Sequence, residues 1–159
     1  MATTMFSSAS ASMMPLTRRS MTPTRGRAVT PRAASTGVTL RELKAAPKSR
    51  VVVDLDGYGK VLLQEFMGDV YAVSNKCPHL GLSMQGKTEL LSAKVNDDCS
   101  IVCPAHGSTF DMKTGAAKGE WCPNLPTLPV VGKPFAGEPK GIATYAVTVD
   151  ESSGAISIA

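Results

Sequence analysis

The chain contains only two histidines, His79 and His106, and each stands beside a cysteine. They occur in Cys77-Pro78-His79 and in Cys103-Pro104-Ala105-His106, with Gly81 and Gly107 following. Each box comes just after a stretch that reads as a β-strand. If the four side chains act together, the fold has to bring two strand-end loops to one place. Proline presets the backbone angle beside each cysteine, and glycine permits the tight turn that closes each loop.

The rest of the chain supplies a frame of short strands. Arg50 to Asp56 is β-branched, Asp56-Gly57-Tyr58-Gly59 is a turn, and Lys60 to Phe66 is a second strand. Met67-Gly68-Asp69 turns the chain again before a third strand, Val70 to Ser74. Leu90 to Val95 and Ser100 to Val102 flank a polar turn at Asn96-Asp97-Asp98. Tyr145, Val147 and Val149 alternate with small or polar residues, and a turn through Ser152-Ser153-Gly154 leads into Ala155 to Ile158. Helix is confined to a turn or two after the capping box Thr39-Leu40-Arg41-Glu42, before Pro47. This pattern predicts an all-β fold, an antiparallel sandwich or barrel with minimal helix. Pro123 to Gly141 stands apart, with five prolines and three glycines in its 19 residues. Proline cannot donate to a sheet ladder, so the segment is expected as an extended surface insertion, either a plain connector or a docking surface.

Charge divides the chain. Residues 1–34 hold five arginines and no acid, and the first carboxylate is Glu42. The overall charge of +4 therefore belongs to this segment; the remaining 125 residues carry 12 basic and 13 acidic groups, a net of −1. A nucleic-acid reading of the basic pI is rejected on that ground. Rich in Ser, Thr, Ala and Arg and without an apolar run, residues 1–34 have the composition of an organelle transit peptide. Hydroxyl residues outnumber arginines, which favours a chloroplast over a mitochondrion, with cleavage expected near Arg32-Ala33-Ala34. The pair Arg18-Arg19 has no apolar stretch after it, so thylakoid export is not expected. The expected location is the stroma or the stromal side of the thylakoid. Aliphatic runs such as Val51-Val52-Val53 are far below the roughly 20 residues of a membrane span, so any membrane association is expected to be peripheral.

Two loops that each present a thiolate and an imidazole suit a mixed iron–sulfur centre, because thiolate is a soft donor and imidazole can replace it on one iron. The same donors could hold tetrahedral zinc, although Cys-x-His is tighter than the usual zinc spacing, or could be ordinary side chains. Cys99 and Cys122 are expected as free thiols, with a regulatory disulfide or a contact that tunes the centre as the alternatives. Trp121 is expected to pack beside the two loops rather than relay electrons.

The runs Cys77-Pro78-His79-Leu80-Gly81 and Cys103-Pro104-Ala105-His106-Gly107-Ser108-Thr109-Phe110-Asp111, with Thr114-Gly115 after them, resemble the two ligand boxes of the Rieske family. The approach strand Val70-Tyr71-Ala72-Val73 and the closing Tyr145-Ala146-Val147-Thr148-Val149 are similar too, so the resemblance spans about residues 50 to 158. It implies one Rieske-type [2Fe–2S] cluster in a two-loop subdomain, with Cys77 and Cys103 on one iron and His79 and His106 on the other. It also implies that Ser108 hydrogen-bonds a cluster sulfur, and that residues 35–159 are the Rieske domain, with 123–141 inserted. Gly119-Glu120-Trp121-Cys122-Pro123 takes the place of the family's third, proline-containing loop. Two departures stand out. The positions of the disulfide found in cytochrome-complex members, Leu82 or its neighbour and Ala105, are not cysteines. A tyrosine typical of those members is Phe110 here. With fewer donors to the cluster, the potential is expected in the lower part of the family range.

No third histidine is present for the catalytic iron of a ring-hydroxylating oxygenase, and no dinucleotide fingerprint for a reductase. The expectation is a ferredoxin-like one-electron carrier, not an enzyme in itself, that serves unidentified redox partner proteins. The alternative, from a looser resemblance of Gly119-Glu120-Trp121-Cys122-Pro123 to a plastid Rieske-type accessory protein, is a thylakoid-associated accessory or assembly factor of photosystem II.

Overall fold

The computed structural model describes residues 33–88 and 91–159. The leader expected over residues 1–34 thus lies outside the described residues apart from Ala33 and Ala34, as does Leu90 of the expected fourth strand. Strand β1 (Ala34–Thr39) runs directly into helix α1 (Leu40–Ala45). The Thr39 amide donates to the Glu42 carboxylate at 2.8 Å, and the Glu42 amide donates to the Thr39 hydroxyl at 3.3 Å. This is the reciprocal cap that the sequence announced. The helix stops before Pro47, and a single tight turn at Pro47–Ser49 leads into β2 (Arg50–Leu55).

Strands β2, β3 (Gly59–Phe66) and β4 (Asp69–Ser74) form an antiparallel meander. Its second turn is Met67-Gly68, both at positive φ, the two-residue geometry whose twist matches that of the flanking strands. A second sheet follows, β5 (Lys94–Asn96), β6 (Ser100–Val102), β7 (Thr109–Asp111) and β8 (Ala117–Lys118), in sequential order. The chain closes with β9 (Thr144–Tyr145), β10 (Val147–Val149) and β11 (Ala155–Ile158). Strand β9 completes the first sheet beside β4, while β1, β11 and β10 make a third.

The architecture is the expected antiparallel all-β one, but three strand expectations need correction. The strand foreseen from Leu90 to Val95 begins only at Lys94. Ser92 instead bridges Gln85 and the Ala93 amide bonds the Met84 carbonyl at 2.8 Å, so these residues pair with the first loop's exit. The single alternating run around Tyr145–Val149 is split at Ala146, whose amide and carbonyl pair with Ala159, and its halves serve different sheets. Strands β1, β7 and β8 are not among the expected ones: β7 and β8 are too short to show a period, and Gly37 interrupts the small, polar run of β1.

The meander is buried on both sides. Val61, Leu63 and Ala72 face Leu43 of α1 and Ile156 and Ile158 of β11. Leu62 and Val73 point the other way, into a core with Met84, Ala93, Ile101, Phe110, Met112 and Ile142. Cys77 and Cys103 belong to that second core, so the sheet that supports the two loops also carries the two thiols out of water. Arg50, 4% exposed, ties the layers together. Its Nε donates to Gln64 Oε1 at 2.6 Å, and its Nη1 donates to Ser92 Oγ at 3.0 Å and the Ala93 carbonyl at 2.8 Å. Among the described residues, no helix is long and apolar enough to cross a membrane.

Candidate metal centre

The two Cys/His loops are closed by the same pair of backbone hydrogen bonds. In the first, the Cys77 amide donates to the Leu82 carbonyl and the Gly81 amide to the Cys77 carbonyl, both at 2.8 Å. In the second, the Cys103 amide donates to Ser108 at 2.8 Å and the Gly107 amide to Cys103 at 3.0 Å. In each case glycine stands four places after cysteine at positive φ, +71° for Gly81 and +78° for Gly107, a conformation costly to any residue with a Cβ. The boxes differ only in where histidine sits on this common frame, two places after Cys77 and three after Cys103. That offset aims the two imidazoles at each other across the gap between the loops.

Their Nδ1 atoms lie 3.1 Å apart, with ring centroids 4.9 Å apart and planes at 74°. Two nitrogens bound at about 2.1 Å to one tetrahedral metal would stand roughly 3.4 Å apart, so the pair is close to the separation that shared ligation requires. The outer nitrogen of His79, Nε2, bonds the Phe135 carbonyl at 2.6 Å. This assigns the ring proton to Nε2 and leaves the Nδ1 lone pair for a metal.

The cysteines form the other pair, 3% and 2% exposed, hydrogen-bonded to each other. Cys103 is held below the ordinary thiol range, first by the Cys77 thiol that donates to it and then, against the cost of burial, by the amides of Ala105 and His106. Cys77 is pushed above the ordinary thiol range by that same hydrogen bond and by burial, with the His79 amide opposing. Amides aimed at both sulfurs are what a pair of ligating thiolates needs, since charge on sulfur is otherwise unsupported in a dry site.

The donors therefore stand two and two, thiols inward and imidazoles half-buried at the rim. Among the described residues, no group of three or more Cys, His, Asp or Glu side chains is placed to hold a single metal ion. Two adjacent pairs, one of sulfur and one of nitrogen, fit a two-iron cluster with mixed ligation better than a single tetrahedral ion.

A third segment covers the rim. Trp121 packs edge-on to His79 and to Phe110, with centroids 5.8 Å and 6.1 Å away, and its indole N–H donates to the Ala136 carbonyl at 2.7 Å. The structure thus places it as packing beside the loops, as expected. The Asn124 amide donates to the His106 carbonyl at 3.1 Å. Lys133 Nζ reaches Glu120 at 2.6 Å and the Cys122 carbonyl at 3.0 Å. The Pro/Gly-rich insertion is therefore strapped to the site rather than hanging free, and Phe135, whose carbonyl meets His79, keeps its ring 75% exposed. Sequence reasoning did not single out Phe135 or Lys133, because a backbone acceptor leaves no residue signature; the only available hint was the insertion's start directly after Cys122. Ser108 lies in the site, but its protein contact is Cys122, at 3.2 Å. Cys99 and Cys122 are both free thiols here.

Comparison with known proteins agrees with this geometry. A family model described as the Rieske [2Fe–2S] domain matches residues 38–132. Apoptosis-inducing factor 3 of Homo sapiens is 39% identical over 59 residues, which are 37% of this chain and 9% of that protein. The 3-phenylpropionate/cinnamic acid dioxygenase ferredoxin subunit of Escherichia coli (strain K12) is 32% identical over 50 residues, 31% of this chain and 42% of that one. The chain thus spans less than half the length of these curated relatives. Among solved structures, the ferredoxin of carbazole 1,9a-dioxygenase from Nocardioides aromaticivorans IC177 superimposes with a TM-score of 0.56 and 25% identity, over 80% of this chain and 96% of that one. The reduced complex between oxygenase and ferredoxin in carbazole 1,9a-dioxygenase matches with a TM-score of 0.51 at 19% identity, over 79% of this chain and 27% of that one, a likeness of fold alone.

Proposed function

Since the chain belongs to the Rieske [2Fe–2S] family, we propose that it is a ferredoxin-like carrier of single electrons, on a cluster held by Cys77 and Cys103 at one iron and His79 and His106 at the other. The observation that carries this reading is the two-and-two donor set, with the two Nδ1 atoms 3.1 Å apart beside a hydrogen-bonded cysteine pair. When bound, the cluster supplies a centre that takes up and gives back one electron without substrate chemistry. The protein's own part is positional. Amides of His79, Ala105 and His106 stabilise charge on the sulfurs, the second core keeps water from the thiol end, and the Phe135 carbonyl fixes the His79 ring.

The imidazoles are the donors nearest solvent, so electrons enter and leave at their edge. Leu80 and Phe135, 60% and 75% exposed, flank that edge as apolar surface for a redox partner protein. A brief, small contact suits such an exchange, as in other electron-transfer encounters. The purified protein should show a rhombic paramagnetic resonance signal of mixed nitrogen and sulfur ligation when reduced. A colourless protein that holds zinc would end this account.

We further propose that the carrier works in the chloroplast stroma, directed there by residues 1–34. What supports this is composition: five arginines, no acid and abundant hydroxyl residues. Fractionated plastids should contain a free stromal pool. Co-migration with photosystem complexes would replace the shuttle by the accessory role at photosystem II.

A further inference from the structure

An open groove of about 680 Å³ runs along the outer side of the first Cys/His loop, and Gly81 of that loop forms part of its wall. Lys60, Lys76 and Lys87 line it with one acid, Asp54. All four are exposed, and none of them makes an ion pair among the described residues. Asp54 stands opposite Lys60 in the β2–β3 register and offsets part of its charge. The groove thus carries a formal +2, in a stretch of 125 residues whose net charge is −1. Lys76 directly precedes Cys77, so this charge lies beside the edge where electrons are exchanged.

The floor is built rather than incidental. Asn75, 5% exposed, accepts the Gln85 amide on Oδ1 at 2.9 Å and donates through Nδ2 to Ser83 Oγ at 3.0 Å. Ser83 Oγ in turn donates to the Gln85 carbonyl at 2.6 Å. The backbone of Gln85 is therefore pinned from both sides, yet its side-chain Oε1 is buried with no hydrogen-bond partner. A buried acceptor of this kind calls for a donor.

An occupant that suits both features brings negative charge and an N–H or O–H. The volume is many times the roughly 30 Å³ share of one water, too roomy for a single inorganic anion to fill. We infer that the groove receives an acidic peptide segment of the redox partner, its carboxylates toward Lys60, Lys76 and Lys87 and a backbone N–H on Gln85 Oε1. The inference deepens the carrier reading and rests on it. Exposed charges of this kind steer encounter and set orientation at the apolar edge formed by Leu80 and Phe135.

Hexaglutamate serves as the probe, with the loaded protein at low salt, and calorimetry reads its binding. Stopped flow reads the oxidation of the reduced cluster by ferricyanide, an anion, and by tris(phenanthroline)cobalt(III), a cation, each taking one electron. Hexaglutamate should bind the parent and slow ferricyanide severalfold while leaving the cobalt complex unhindered. The double substitution Lys76→Gln, Lys87→Gln should weaken hexaglutamate about tenfold, as the loss of two exposed charge contacts implies, and should slow ferricyanide. Gln85→Met should weaken hexaglutamate about threefold with the ferricyanide rate unchanged, and Lys44→Gln, on α1, should alter neither. Equal binding to the parent and the double variant overturns the inference, as does inorganic phosphate that binds as tightly as the peptide. Parent-like peptide binding in Gln85→Met overturns the two-point recognition. Each of these is read on protein that shows the mixed-ligand spectrum, so the carrier reading survives them. A parent without that spectrum sinks the carrier reading, and calorimetry still judges the groove.

Discussion

Phe110 lies under the second box with no exposed surface and presents its ring to Trp121. A phenol there would bring a hydroxyl donor; a phenyl ring does not. With a donor missing, the reduced cluster is less stabilised, and protein-film voltammetry should place the potential in the lower half of the roughly −150 to +300 mV spanned by Rieske centres. A value near the top of that span would contradict the argument. The same logic predicts the effect of ligand exchange at His106. His106→Cys replaces a neutral donor with an anionic one, and moves the potential toward the roughly −400 mV of all-cysteine plant-type ferredoxins. Voltammetry of the loaded variant checks the direction; an upward shift would rule His106 out as a ligand.

At the scale of elements, the turns set the spacing of the loops. Gly115 sits at φ +74°, and a Cβ there would stand 2.1 Å from the Ile142 carbonyl oxygen. The Gly115 amide bonds Asp111 and its carbonyl receives the Ile142 amide, both at 2.8 Å, so this residue joins the β7–β8 turn to the chain entering β9. Gly115→Ala should therefore cost well over about 1 kcal/mol, since backbone strain and backbone overlap both apply. Chemical denaturation measures it, and a loss of a few tenths would show that the two segments separate freely.

The turns are also acid-sensitive. Hydroxyl and amide hydrogens of Ser152 and Ser153 hold Asp150 down to about 2, and the Thr114 amide heads the contacts that hold Asp111 below the usual carboxylate range. A group whose folded value is depressed adds stability above its unfolded value, near 4 for aspartate, and loses it as pH falls through the folded value. Thermal unfolding should thus be level from neutrality to about pH 5 and fall between about 4 and 2. A transition that starts well above pH 5 would show that groups other than these two aspartates set the acid limit.

For the molecule as a whole, Arg50 is the residue that spans layers. It starts β2, pairs with Gln64 on β3 and reaches Ser92 and Ala93 between the first loop and β5. Arg50→Met keeps the bulk but strands Gln64 Oε1 and the Ala93 carbonyl in a buried place. The expected loss is about 2–3 kcal/mol of folding stability by denaturant titration. Because the second loop hangs from β6 in the same core, cluster retention on warming should weaken in parallel. Stability that fell while retention did not would separate the base of the fold from the site.

The sequence by itself determined the parts whose cause is local. The capping box at Thr39 and Glu42, the β-branched meander, the Cys-Pro-His and Cys-Pro-Ala-His boxes and their closing glycines are readable because neighbours along the chain create the pattern. It could not show that Ser92 and Ala93 pair with the exit of the first loop, or that Ala146 divides one alternating run between two sheets. Those outcomes depend on which distant strand offers an open hydrogen-bonding edge, and period-two patterning carries no record of the partner. The Phe135 carbonyl on His79 and the burial of Cys122 against Ser108 were likewise decided in three dimensions. Backbone acceptors are the same at every residue, and only the folded chain brings one of them to an imidazole more than fifty positions away.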